Sequence, residues 1–184
     1  MATQVSKLRY VDNKLGATMP GQQTTRYIYD SVAPGAGGTN VTFFQNFAGK
    51  TQFQTNLTTN KLDASESMVI KSIYITLEPG TAGTLTLTGH LNLNIFVGNQ
   101  CVLKDFDPSF NSTNRGLSFD RLHSGFNSNS ILEVRLLTDI VIPPQVEFYV
   151  RASAFNALTR VASSQRLGCY LFGTAALLNF NTTI

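Results

Sequence analysis

Between Thr84 and Gly98, apolar and polar residues alternate without a slip. Leu85, Leu87, Leu91, Leu93, Ile95 and Val97 take every second position and Gly89 fills the one gap, while Thr84, Thr86, Thr88, His90, Asn92 and Asn94 lie between them. A period of two puts the first set on one face of a pleated strand and the second set on the other. A helix built from the same residues would scatter its apolar groups around its whole circumference. This segment therefore suits a sheet with one buried face. Strands usually run about five or six residues, so a run this long is expected to curve or divide, with Gly89 as the bend point.

The same period recurs along the chain, and helical periodicity is nearly absent. Strands are expected at "TTRYIYDSV", "VTFFQNF", "MVIKSIYITLE", "QCVLKDF" and "ILEVRLLT". "DIVIPPQVEFYVRA" reads as two strands broken at Pro143-Pro144, because neither proline can donate to a ladder. Gly98-Asn99 joins two alternating runs, which is hairpin chemistry. "LGCYLFGTAALLNF" is apolar on both faces and so fits a central strand. "SAFNALTRVASSQR" alone has some helical character. Residues 107–130 read as a long loop, of the kind that is usually functional or interfacial.

Eight or nine strands with long connections indicate an all-β fold: a single antiparallel jelly-roll sandwich of about eight strands, residues 21–184, with an extended N-terminal arm at 1–20. An immunoglobulin-type sandwich usually has about 100 residues and often a Cys…Trp…Cys core. This chain has 184 residues and no Trp.

Charged residues make up only 14% of the chain and the net charge is +3, against a usual charged fraction of about 25%. Thr, Asn, Ser and Gln must cover the exterior, which suits a subunit that hides surface against neighbours. Lys7, Arg9 and Lys14 against Asp12 make a slightly basic arm, too weak to neutralise many phosphates. Nucleic-acid contact is accordingly a minor expectation. Cys101 and Cys169 match no metal or redox spacing, and no apolar run is long enough for a membrane helix. Folding in a cytosol with reduced thiols follows.

Candidate chemistry is thin, because an enzyme needs converging acids, bases or nucleophiles. The best cluster is Asp105, Asp107, Asp120 and His123 in "KDFDPSFNSTNRGLSFDRLH". Asp105, Asp107 and Asp120 form a weak Ca²⁺ candidate, since carboxylates two residues apart can offer oxygens to one ion. The bland alternative, a solvated turn in which Asp107 precedes Pro108, outweighs it. His90 sits on a polar strand face beside Thr88 and Asn92, with no base or metal partner in sequence. It reads as wall, with a pH-sensitive subunit contact as the alternative. "PGAGGT" lacks the Lys of a phosphate loop. No enzyme activity, metal or cofactor is expected.

Aromatic residues say more. Phe43, Phe44, Phe47 and Phe53 crowd one polar stretch, and Phe106, Phe110, Phe119 and Phe126 punctuate the long loop. If Phe43 and Phe47 share one strand face, Phe44 should point to the other. Part of this set is therefore expected at subunit interfaces, with Phe43, Phe44, Phe110 and Phe126 the chosen residues and Lys7 and Arg9 of the arm beside them.

Residues 66–97 and 131–151 resemble strand pairs of single jelly-roll capsid proteins of icosahedral viruses and tailless bacteriophages. The "I-x-I-P-P-x-x-x-F-x-V" pattern of Ile140–Val150 carries most of the likeness. The resemblance implies a virion structural protein, either a major coat or a vertex subunit. It also implies self-assembly with copies of itself and with other capsid proteins after synthesis in the host cytoplasm. Many plant-virus coats open with a strongly basic arm, and this chain does not, which leans the expectation toward phage-type shells. The alternative is a carbohydrate- or receptor-binding jelly-roll module, which would use an exposed aromatic platform such as Tyr10, Tyr27, Tyr29 and Tyr149.

Overall fold

In a computed structural model the described residues are 21–35, 39–78, 85–86, 91–106, 131–154, 159–160 and 166–178. Every regular element among them is a strand. These are β1 (Gly21–Val32), β2 (Asn40–Phe43), β3 (Glu66–Glu78), β4 (Leu85–Thr86) and β5 (Leu91–Val97), followed by β6 (Gln100–Phe106), β7 (Ile131–Ile142), β8 (Phe148–Ala154), β9 (Thr159–Arg160) and β10 (Arg166–Leu178). Two four-stranded antiparallel sheets result. Sheet I has the order β1-β10-β3-β7 and sheet II the order β2-β8-β5-β6; β4 and β9 pair apart from both. Apart from the β5–β6 hairpin, each step along the strands of the two large sheets crosses from one sheet to the other. The fold is thus an all-β sandwich, as the alternation requires.

The inner faces follow the period of two. Ile28, Ile70, Ile73, Ile75, Leu167, Cys169 and Leu171 of sheet I meet Val41, Phe43, Leu93, Ile95, Phe148, Val150 and Ala152 of sheet II in one core. β10 is central, as its two apolar faces predict. The long run 84–98 does divide: Leu85–Thr86 pairs with β9, and Leu91–Val97 enters sheet II. Val97 faces Gln100 across Gly98-Asn99, and Gly98 has φ 58, as a two-residue type II′ turn demands of its first central residue. Pro143-Pro144 ends β7, and the chain re-enters as β8 in the other sheet. In "SAFNALTRVASSQR" the described residues are the end of β8, β9 and the first residue of β10, so the helical reading is replaced by strand there.

Two irregularities shape the sandwich. Ile70 and Ser72 of β3 face Gly173 and Phe172 of β10, leaving Lys71 as an extra residue. At this bulge the strands come so close that a Cβ on Gly173 would lie 1.7 Å from the Val69 carbonyl oxygen. On the other side of β3, the register jumps from Ile70↔Ile140 to Ser72↔Arg135. β3 advances two positions there (Ile70 to Ser72) and β7 five (Ile140 to Arg135), so β7 carries three surplus residues.

One expectation needs correction. Phe43 and Phe44 are both 0% exposed, so neither ring is available as a surface for a neighbouring subunit. Alternation fails at this point because β2 ends at Phe43 and Phe44 adopts φ 62. A left-handed residue reverses the expected side-chain direction and returns the ring to the core, where Phe44 packs on Phe148 with centroids 5.5 Å apart. Such a conformation is uncommon for a bulky residue. It is held by the buried carboxylate of Asp30, which accepts the Phe44 N–H at 2.7 Å and the Lys50 ammonium at 2.5 Å.

Candidate interaction surfaces

The outer face of sheet I carries an aromatic array built by register. Tyr27 faces Phe172 and Tyr29 faces Tyr170 across β1 and β10, and Tyr170 faces Tyr74 across β10 and β3. Direct cross-strand neighbours stand close enough for their rings to meet. Tyr27 and Phe172 stack at 5.5 Å and 18°, and Tyr29 and Tyr170 at 5.5 Å and 24°. Tyr27 stacks on Tyr29 along the strand at 6.0 Å, and Tyr74 meets Phe172 edge-on at 5.0 Å. Near-parallel rings at such separations overlap face to face. The array therefore spends ring faces on its own members, with Tyr27 the most exposed at 49%.

Sheet II presents a different outer face. Phe96 and Tyr149, paired across β5 and β8, stack at 4.5 Å, and the Arg151 guanidinium lies 5.4 Å from the Phe96 ring centroid and 5.9 Å from that of Tyr149. Around them are Asn94 opposite Arg151, Ser153 hydrogen-bonded to Asn40 at 2.7 Å, and exposed Cys101, whose thiol contacts Asn94 Oδ1 at 3.7 Å. This face carries neutral hydrogen-bonding groups and a cation, Arg151, braced on rings.

The sandwich edges are treated unequally. An open strand edge is a template for pairing with another chain. On β1 that edge is covered by the segment after β2. Ser31 donates its N–H to the Gln54 carbonyl at 2.7 Å, and Tyr29 donates its N–H to Asn56 Oδ1 at 3.0 Å. Asn56 Nδ2 in turn donates to the Tyr27 carbonyl at 2.9 Å, so its amide imitates a strand backbone. The Tyr29 hydroxyl ties the aromatic array to the same segment by donating to the Gln52 carbonyl. At the far side, β6 and β7 are the outermost strands of their sheets, and a cleft of about 590 Å³ opens there, lined by Val102, Leu103 and residues 135–141.

Of the residues singled out from sequence, Phe43 and Phe44 are core. Lys7, Arg9, Phe110, Phe126, Asp107, Asp120, His90, His123 and Tyr10 lie outside the described residues, as does the loop 107–130. Asp105 falls in β6, and the cation expectation rests otherwise on the undescribed residues. Among the described residues no three His, Cys, Asp or Glu side chains gather into a metal-binding group. Phe53, never favoured above its neighbours, is 81% exposed. Tyr27 and Tyr29 do form a surface, with Tyr170, Phe172 and Tyr74 added. Alternation sets Tyr27, Tyr29 and Tyr74 opposite the apolar Ile28, Ile73 and Ile75, whereas the run that holds Tyr170 and Phe172 is apolar on both faces. Only the strand order brings them together.

No protein-family model and no curated protein matches this sequence. Among solved structures the chain is similar to the nora virus structure, with a TM-score of 0.33 and 10% identity over 89% of this chain. It spans 62% of the length of that chain. It is also similar to the empty head of turnip yellow mosaic virus, with a TM-score of 0.30 and 11% identity, covering 100% of this chain and 94% of the other.

Proposed function

We propose that this chain is a virion structural protein: a jelly-roll capsid subunit, major coat or vertex, that self-assembles into an icosahedral shell of the bacteriophage kind. The observation that carries the reading is the strand order. Eight strands shared between two four-stranded sheets, β1-β10-β3-β7 and β2-β8-β5-β6, with nearly every connection crossing between sheets, support a jelly roll wound from two Greek keys. Fold alone does not assign function. The surface adds to it: a chain with 14% charged residues and an aromatic array on one outer face is poorly suited to solitary life in water. Partners in this reading are copies of the chain and other capsid proteins, and it invokes no catalysis, metal or cofactor. Genome contact has a small part, because Lys7, Arg9 and Lys14 are offset by Asp12.

A carbohydrate-binding module needs a free ring face against which a sugar lies flat. The stacked faces of Tyr27, Tyr29, Tyr170 and Phe172 argue against that use. Light scattering after size exclusion, followed by negative-stain microscopy, separates the two readings. Closed assemblies or their cyclic intermediates are expected. A monodisperse monomer at high concentration would overturn the proposal.

A further inference from the structure

We infer that the β7 bulge is a self-complementary two-fold contact, at which a second copy of this chain docks against the cleft between β6 and β7. The inference rests on the capsid reading and specifies one of its interfaces. Residues 136–139 have no partner position on β3, whose register jumps past them, and of these Leu136 packs against the core while Leu137, Thr138 and Asp139 are exposed. Leu137 is 101% exposed, as fully in water as a side chain can be. Leu137 shares the lining of the cleft with Leu103, Leu136 and Ile140 and with the polar Arg135, Thr138 and Asp139, and Val102 and Val141 of the same lining are 43% and 53% exposed. A protruding leucine and an apolar hollow thus occur on the same patch.

Charge identifies the occupant. Arg135 and Asp139 are both exposed and lie two residues before and two after Leu137. An isologous interface must satisfy itself under a two-fold rotation: whatever one copy offers, the other must accept. An axis passing beside Leu137 sets the two bulges antiparallel. Arg135 of each copy then faces Asp139 of the other, and each Leu137 enters the opposite cleft. A guanidinium presents N–H donors in a fork that matches a carboxylate. An unrelated partner would need no such symmetry about Leu137.

Sedimentation velocity on the full chain tests this with three variants. Leu137→Asp and Arg135→Asp should each raise the dimer dissociation constant by roughly tenfold or more, because each substitution acts twice across the axis. Adding Asp139→Arg to Arg135→Asp restores opposite charges at both contacts and should bring the constant back to within about threefold of the parent. Thermal midpoints should stay near the parent's, since all three side chains are exposed. A double variant no tighter than Arg135→Asp, or a Leu137→Asp dimer of unchanged strength, overturns the contact. Large particles that form undiminished from Leu137→Asp overturn the contact and leave the capsid reading standing. A parent chain that is monomeric throughout overturns both.

Discussion

A carboxylate with no exposure, such as that of Asp30, is tolerable in a core only when its charge is met and its oxygens are hydrogen-bonded. Lys50 meets the charge and the Phe44 N–H takes the second oxygen, which is how one side chain on β1 fixes a left-handed turn fourteen residues away. Nothing in "VTFFQNF" announces this. Strict alternation sends Phe44 outward, and the error arises because a single backbone dihedral outweighs the pattern. The same carboxylate acts on Cys169. Burial pushes this thiol well above its ordinary value of 9.0, and the negative charge of Asp30 pushes it the same way. The folded chain therefore keeps the thiol proton at pH values where the unfolded chain releases it. Below pH 9.0 this difference costs nothing. Above it the unfolded state binds fewer protons, and stability should fall by up to about 1.4 kcal/mol per pH unit until the folded thiol ionises. Urea unfolding between pH 8 and pH 11, compared with Cys169→Ala, isolates the contribution of this thiol. The gap between the two proteins should change with that slope, and parallel curves would show that Cys169 is not the group responsible.

At the scale of elements, the strands were legible and their irregularities were not. Alternation identifies β3, β5 and β8 because one buried face imposes the same rule on each of them, while β10 is marked by a run apolar on both faces. The break at Pro143-Pro144 and the turn at Gly98-Asn99 were equally legible, since both depend on the residues themselves. Register shifts depend on the neighbouring strand, and no strand carries its neighbour's spacing in its own sequence. Gly173 illustrates the point. "LFGTAA" shows a glycine in a strand, a common sign of a bulge or a close approach, but only the pairing with β3 shows that a methyl group would collide with the Val69 carbonyl. Since the obstacle is backbone, Gly173→Ala must push β3 and β10 apart at the bulge. A loss of about 3 kcal/mol, at the upper end of overpacking costs, is expected in equilibrium unfolding. A change below about 0.5 kcal/mol, the range of ordinary surface substitutions, would mean that the strands yield there with ease. The β7 bulge, on the other side of β3, was hidden for the same reason, and it carries the exposed Leu137.

For the whole molecule, the balance of forces at the exterior governs how it associates. The chain has few charges to attract or repel neighbours, while the outer face of sheet I carries the aromatic array and the β6–β7 edge offers exposed Leu137 and Val141. Composition predicts as much: a low charged fraction spread over many strands leaves a surface of neutral polar and apolar groups. Which faces serve could not be read from sequence, because each is assembled from strands distant along the chain. If assembly buries mostly apolar area, it should carry the thermodynamic marks of that burial. Association should strengthen on warming from about 5 °C to about 25 °C, and sulfate should favour it at equal ionic strength over chloride. Raising sodium chloride from about 50 mM to about 500 mM shortens the screening length severalfold, yet should shift the association constant by only a few fold. Isothermal dilution calorimetry should show a negative heat-capacity change on association. An assembly that dissolves in high chloride and strengthens on cooling would instead be held by ion pairs, and the aromatic array would then be a bystander to it.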